Sequence, residues 1–185
     1  FGTIANSFTD PGAYRSSYGV YISPGTNGLT IQNSLIGFVK LGGVFANTNT
    51  SLNINVINTE FRSTGMNSPV DEAISFVNLT MGSGETKIDH NLFRDNKAAG
   101  IQLHNFNGTY SVTNSTFTNN AQFYSSGGMN INKYGTGLIT IKDNIFAANY
   151  GNGLTLATGN RVYVSQNNFY GNTSNAFEVT TPTNG

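Results

Sequence analysis

The sequence has no cysteine and very little charge, and these two features exclude several classes of protein. Without cysteine there are no disulfides, thiolate metal ligands or thiol nucleophiles. Charged residues make up 10% of the chain, with nine of each sign, so the basic surface that a nucleic-acid partner requires is missing. No apolar run approaches the roughly 18 residues of a membrane span. We therefore expect neither a nucleic-acid partner nor a membrane-spanning segment.

What the sequence does contain is a repeated phrase with an aliphatic residue, a polar residue two places later and usually a Phe three places after that. A second phrase follows each copy and consists of a small residue and then alternating apolar positions. VTNSTF at 112–117 and GIQL at 100–103 are clear examples of the two. First phrases begin at residues 31, 56, 88, 112, 141 and 164, with a weak copy at 4, and lie 23 to 32 residues apart. Repeats of this length are typical of a solenoid.

Alternation of apolar and polar residues over four or five positions predicts short strands with one buried face. Stacked in parallel, equivalent residues of successive repeats lie about 4.8 Å apart. The general rule for parallel crossovers makes the coil right-handed. We therefore predict one all-β domain over residues 1–185, a right-handed parallel β-helix of about seven rungs.

The repeat also predicts columns of identical side chains along the helix axis. The Phe of each phrase forms an internal aromatic stack, comprising Phe61, Phe93, Phe117, Phe146 and Phe169. The polar residue of each phrase forms an inward ladder that includes Asn33, Asn58 and Asn114. Three residues after the Phe comes a further column of Asn96, Asn120, Asn149 and Asn172. Asn in that column suits turn residues with positive φ.

These phrases resemble the right-handed parallel β-helix of the pectate-lyase-like superfamily, including its internal asparagine ladder. The resemblance covers residues 3–180. It implies the fold, whereas its implications for activity are broad, because the superfamily includes lyases, hydrolases, epimerases, phage tailspikes, adhesins and non-catalytic scaffolds. We expect a non-catalytic member.

No set of residues in the sequence indicates a catalytic centre, a metal site or a cofactor. The acidic residues are few and dispersed, whereas glycosidases need a close pair of carboxylates. The nearest approach to a lyase site is a patch of Glu60, Arg62, Arg94 and Asp95, in which the two Arg occupy the same slot of adjacent repeats. A surface ion-pair network is the alternative interpretation of this patch.

Several Asn-x-Ser/Thr sequons predict N-glycosylation if the chain is secreted. The candidate sites are Asn49, Asn78, Asn107 and Asn172. The first three follow the second phrase of successive repeats, so we expect them close together on one edge. Asn114 is also in a sequon, but its place in the predicted inward ladder implies that it stays unmodified.

The repeat continues nearly to both ends of the sequence, which predicts uncapped rungs able to stack head to tail on other copies. We therefore expect an extracellular or cell-surface structural protein, a glycosylated fibre or appendage subunit. The alternative is a carbohydrate-active β-helix, which is either a polysaccharide lyase or epimerase or a polysaccharide-binding adhesin or tailspike fragment. Binding would use exposed aromatic residues, for which the candidates are Tyr124, Tyr134, Tyr150 and Tyr170.

Overall fold

The computed structural model describes residues 8–26, 28–47, 53–67, 72–105, 107–123, 126–132, 137–157 and 161–180, with the backbone alone for 80–83. In these ranges the chain forms three parallel sheets and one short 3₁₀ helix, Gly12–Tyr14. The weak repeat copy at residue 4 lies outside the described residues, as do Asn49, Tyr124 and Tyr134.

The strands of the three sheets alternate regularly along the chain. The first sheet contains β1 (Val20–Ile22), β4 (Val44–Asn47), β7 (Ile74–Val77), β10 (Ile101–His104), β13 (Met129–Ile131), β16 (Leu154–Ala157) and β19 (Phe177–Thr180). The second contains β2 (Leu29–Gln32), β5 (Ile54–Ile57), β8 (Thr80–Asp89), β11 (Asn107–Thr113), β14 (Leu138–Lys142) and β17 (Arg161–Ser165). The third contains β3 (Leu35–Gly37), β6 (Glu60–Arg62), β9 (Leu92–Arg94), β12 (Thr116–Thr118), β15 (Ile145–Ala147) and β18 (Asn168–Tyr170).

Each strand pairs in parallel with its counterparts in the preceding and following repeats, so the chain returns to the same sheet once per turn. After β1 there are six complete coils, which we number from coil 1 (β2–β4) to coil 6 (β17–β19). The prediction of an all-β parallel solenoid is confirmed. The repeat copies that begin at residues 31 to 164 supply these six coils.

The core lies inside the coil and is built from the alternate residues of each strand. In β11, Tyr110 and Val112 are fully buried, whereas the alternate residues Ser111 and Thr113 face outward. The five Phe of the third sheet form the internal stack, with neighbouring ring centroids 4.6–5.0 Å apart and planes within 9° of parallel. The small residue of the second phrase makes room for these rings. A Cβ at Gly128 would lie 2.7 Å from the Gly153 carbonyl and 3.0 Å from the Phe146 ring.

A buried ladder of Asn side chains runs beside the Phe stack, and its members are Asn96, Asn120, Asn149 and Asn172. The Asn149 Nδ2 donates to the Phe117 carbonyl and to the Asn172 Oδ1, both at 3.0 Å. The Asn149 Oδ1 in turn accepts from the Asn120 backbone N–H and Nδ2. The asparagine ladder is therefore confirmed. Its residues are inside the coil, and the positive φ falls on the residue before each, as at Asp95 and Asn119.

A second buried ladder occupies the turn between the second and third sheets, formed by Thr59, Asn91, Ser115, Asn144 and Asn167. The Asn144 Nδ2 donates to the Val112 carbonyl at 2.8 Å, and the Asn144 Oδ1 accepts from the Ser115 N–H at 2.9 Å. The Nδ2 and the Oδ1 of Asn144 therefore both form hydrogen bonds with the backbone of the preceding coil.

The expectation that Asn33, Asn58 and Asn114 form the inward ladder is wrong. All three are exposed and have φ near +50°, a conformation that Asn tolerates better than other non-glycine residues. Their side chains bond on the outside of the turn, as in the 2.8 Å contact between Asn58 Nδ2 and Asn33 Oδ1. Because the inward position is the following residue, each turn has one exposed and one buried polar side chain.

Candidate functional site

The four charged residues of the possible lyase patch come together on the outer face of the third sheet. Arg62 and Arg94 are register partners in β6 and β9. The Arg94 Nη2 lies 2.8 Å from the Glu60 Oε1, and its Nη1 lies 2.8 Å from the Asp95 Oδ2. Partial burial disfavours the charged guanidinium, but the contacts with both carboxylates outweigh it and raise the pKa of Arg94. Arg94 therefore stays a cation and is not suited to accept a proton.

Arg62 anchors the segment that precedes the first coil. Its guanidinium carbon lies 4.1 Å above the Phe8 ring and 5.5 Å from the Phe38 ring. The Arg62 Nη2 also donates to the Phe8 carbonyl at 3.1 Å. Gly37 leaves space for this packing, because the Phe8 ring is 3.2 Å from where a Cβ would lie. The patch is thus an ion-pair and cation–π cluster that fastens Phe8 to the outer face.

Beside this cluster a shallow groove of about 370 Å³ runs along coils 1 to 3. It is lined by Asn33, Ser34, Leu35, Asn58, Thr59, Glu60, His90 and Leu92. Two carboxamides, a carboxylate and an imidazole supply donors and acceptors on either side of aliphatic surface. Such a combination suits a neutral polyhydroxylated ligand.

The imidazole of this groove is held by a hydrogen-bonded turn. The His90 Nδ1 lies 2.7 Å from Asp89, which also accepts from the Thr113 hydroxyl at 2.6 Å and the Asn114 Nδ2 at 2.9 Å. Partial burial favours the neutral acid, but the three hydrogen bonds outweigh it and lower the pKa of Asp89. The carboxylate stays ionised at neutral pH and leaves the His90 Nε2 directed away from it.

The two ends of the coil stack differ. In coil 1 and β1, the inward residues Ile22 and Ile36 are 3% and 1% exposed. In coil 6, the inward residues Val164, Phe177 and Val179 are 37%, 41% and 56% exposed. All three strands of coil 6 are also edge strands of their sheets. We refer to this surface of coil 6 as the open end.

The comparison with known families agrees with the geometry of the coils. The family model described as "Right handed beta helix region" matches residues 18–184. The chain belongs to the right-handed β-helix family. No curated protein and no solved structure matched the chain.

In this β-helix, the described glycosylation candidates occupy two different environments. Asn78 and Asn107 lie on adjacent coils near the ends of paired strands, since Asn105 donates to the Asn78 Oδ1 and Asn107 pairs with Thr80. Asn172 instead belongs to the buried ladder, where its Nδ2 donates to the Phe146 carbonyl at 3.0 Å. A glycan on Asn172 would break that bond, so this candidate conflicts with the fold.

The exposed sequon that the sequence interpretation set aside is Asn114. Its side chain is outside the β-helix, and its Nδ2 bonds to Asp89. Tyr150 and Tyr170 are 46% and 60% exposed, but neither lines the groove. The groove itself was missed because Asn33 and Asn58, which line it, were assigned to the interior of the coil.

Within the described ranges no three His, Asp or Glu side chains are grouped to hold a metal ion. The same part of the chain contains no helix long and apolar enough to cross a membrane.

Proposed function

We propose that this β-helix is an extracellular structural protein, a glycosylated subunit of a fibre or surface appendage that joins end to end with other molecules. The main support is the open end of coil 6. The Phe stack and both buried ladders run through the coils to reach it. A rod whose internal columns continue to an exposed cross-section is suited to extension.

The apolar side chains at the open end would contribute part of the free energy of association. Val162, Val164, Phe169, Phe177 and Val179 face inward but are only partly covered. Covering the exposed parts of five such side chains contributes on the order of 5 kcal/mol. Association costs about 4–15 kcal/mol in lost translational and rotational freedom. Backbone hydrogen bonds along three edge strands and the partner's own apolar surface supply the remainder.

Sedimentation velocity over a concentration series tests this proposal, with electron microscopy of the same samples. Val179→Lys places a charge on the open end, whereas Tyr163→Lys places the same charge on the outer face of the same coil. We expect wild type and Tyr163→Lys to form longer rods as concentration rises and Val179→Lys to remain monomeric. A monomeric wild type, or association that Val179→Lys leaves unchanged, contradicts end-to-end joining.

Glycosylation is tested separately by mass spectrometry of peptides from secreted material. We expect hexose-containing adducts on Asn78 and Asn107 and none on Asn172, because only the last would lose a bond inside the coil. Modified Asn172 in folded protein contradicts this assignment.

The groove favours a second candidate function, the binding of a polysaccharide. Its test is calorimetric titration with neutral and acidic oligosaccharides, monitored in parallel for unsaturated products that a lyase would release. His90→Ala should weaken binding. Asn105→Ala, on the exposed row of another turn, should not. Equal binding by both variants excludes the groove as the site.

A further inference from the structure

We infer that Asn107 is a deamidation site, at which the side-chain amide is converted to a carboxylate through a cyclic imide formed with Gly108. The chain has four Asn–Gly dipeptides, which begin at residues 27, 107, 152 and 184. The structure describes two of them completely, Asn107–Gly108 and Asn152–Gly153, and places these two in opposite environments. The inference does not rest on the proposed function.

The reaction needs only groups of the chain, solvent hydroxide and water. The backbone nitrogen of Gly108 loses its proton to hydroxide and bonds to the Cγ of Asn107. The Cγ–Nδ2 bond then breaks and releases ammonia, which takes its third proton from water. Water opens the resulting five-membered imide on either side of the ring nitrogen. Cleavage at Cγ gives aspartate, whereas cleavage at the backbone carbonyl carbon gives isoaspartate, in which the main chain runs through Cγ.

The surroundings of Asn107 allow the ring to close. Asn107 is exposed at the first position of β11, so its side chain can turn toward Gly108 without leaving the core. Gly108 has no Cβ to hinder the approach of its nitrogen. Its φ is 120°, and the register of β11 with β8 shifts between Asn107 and Thr109. Because a ladder is disrupted at such an irregularity, the backbone here is held less firmly than in a regular strand.

The surroundings of Asn152 oppose the same reaction. Asn152 is only 8% exposed, and its Nδ2 donates to the Thr155 Oγ1 at 3.0 Å and to the Glu178 carboxylate. Its Oδ1 accepts from the Asn175 N–H at 3.0 Å. The attacking nitrogen is also held, because the Gly153 N–H donates to the Asn175 carbonyl at 2.9 Å. Ring closure would break these four bonds, and a factor of about two for each makes this site at least about tenfold slower than an unhindered one.

Deamidation and N-glycosylation exclude each other at Asn107, because both act on the same nitrogen atom. Asn107, Gly108 and Thr109 form a sequon, and a glycan would be attached to the Nδ2 that deamidation expels. The carboxylate left by deamidation cannot carry an N-linked sugar. A chain that is unglycosylated at Asn107 therefore remains open to deamidation, and a chain that has deamidated is closed to glycosylation.

Peptide mass spectrometry tests the inference on the full chain, made in a host that does not attach N-linked sugars. Native protein is incubated at pH 8 beside the same protein unfolded in urea, and isoaspartate is identified by electron-transfer fragmentation. In native protein we expect the Asn107 peptide to gain one mass unit, with isoaspartate among the products, and Asn152 to react at least about tenfold more slowly. In urea the two sites should react at similar rates, because the bonds that hold Asn152 are lost.

Thr155→Val is the matched variant, because it removes the hydroxyl that accepts from the Asn152 Nδ2 and nearly keeps the shape of the side chain. It should accelerate deamidation of Asn152 and leave the rate at Asn107 unchanged. An unchanged rate at Asn152 contradicts protection by these hydrogen bonds.

Absence of reaction at Asn107 in native protein overturns the inference, as do equal rates at native Asn107 and Asn152. Aspartate without isoaspartate overturns the imide route. Absence of a glycan on Asn107 in secreted material refutes only the proposed glycosylation, so the two proposals fail separately.

Discussion

Asn120→Asp is expected to destabilise the β-helix far more than the same change at Asn33. The Asn120 side chain is completely buried, and its Nδ2 donates to the Phe93 carbonyl and to the Asn149 Oδ1, both at 3.0 Å. A carboxylate has nearly the same shape but places an acceptor against both of these oxygens. The Phe93 carbonyl then loses its side-chain donor, and the Asn149 Oδ1 keeps only the Asn120 backbone N–H. An unsatisfied buried group costs about 1–3 kcal/mol, and burial of the charge beside two oxygens adds to this.

Asn33 provides the matched control because it is exposed and its Oδ1 accepts a hydrogen bond from the Asn58 Nδ2. Asp keeps that acceptor and also tolerates positive φ, so its effect should be below about 0.5 kcal/mol. Urea unfolding at pH 7, followed by tyrosine fluorescence and far-UV circular dichroism, measures the free energy of unfolding of both variants. Destabilisation of Asn120→Asp by no more than Asn33→Asp would refute the ladder's contribution.

Three further predictions test other parts of the β-helix. Phe117→Ala should lower the free energy of unfolding by about 3–5 kcal/mol, because the ring is buried between two others; Tyr163→Ala, on the outer face, should cost under about 1 kcal/mol, and similar losses would exclude a stabilising stack. The pKa of Asp89 is lowered by folding, so its contribution should be complete above the unfolded value near 3.9 and be lost as pH falls through the folded value. Asp89→Asn should therefore be less stable than wild type at pH 7 and approach it at low pH, and a pH-independent difference in urea unfolding contradicts this. Arg62→Ala removes a cation–π contact and a hydrogen bond to Phe8. In hydrogen–deuterium exchange, the backbone amides of residues 8–15 should therefore exchange faster, whereas those of coil 4 should be unaffected. Unchanged exchange at residues 8–15 rules out the anchoring role of Arg62.

The sequence was sufficient to predict the fold because every coil has the same physical requirements. Each turn needs apolar residues at alternate positions, a Phe for the stack and a small residue beside the ring. The Gly128 position shows why these requirements are strict, since a Cβ there approaches a backbone carbonyl of the next coil. Spacing alone therefore located the strands and the Phe column.

The sequence did not show which of two consecutive polar residues turns inward. Asn is favourable in both roles, because it tolerates positive φ at Asn114 and satisfies two backbone groups at Asn144. The two columns differ in how many residue types they contain, and this difference could have shown which column is buried. The exposed column also contains His90, Asp143 and Gln166, whereas the buried one contains only Asn, Ser and Thr. Interchange of the two roles also concealed the groove, because its residues Asn33, Asn58 and His90 come from the exposed column.

Contacts made by the first described residues could not be read from any repeat. Phe8 and Arg62 are 54 residues apart and meet only because the chain before coil 1 folds back over the third sheet. The sequence placed Arg62 beside Arg94 and Glu60, and the resulting patch has the composition of a possible catalytic cluster. The structure gives this Arg an aromatic and backbone partner, which is a stabilising role.

The ladder bonds all point the same way along the axis, so the two directions along the β-helix are not equivalent. Because each Asn bonds backwards to the coil before it, a coil is fully bonded only after the next coil has been added. Coil 1 meets this condition through coil 2, and its own ladder residue Val39 requires no hydrogen-bond partner in a preceding coil. Among the described residues, coil 5 meets it through coil 6, where the Asn149 N–H donates to the Asn172 Oδ1 and the Asn172 Nδ2 donates to the Phe146 carbonyl. The ladder therefore links each coil to the one that follows it along the chain.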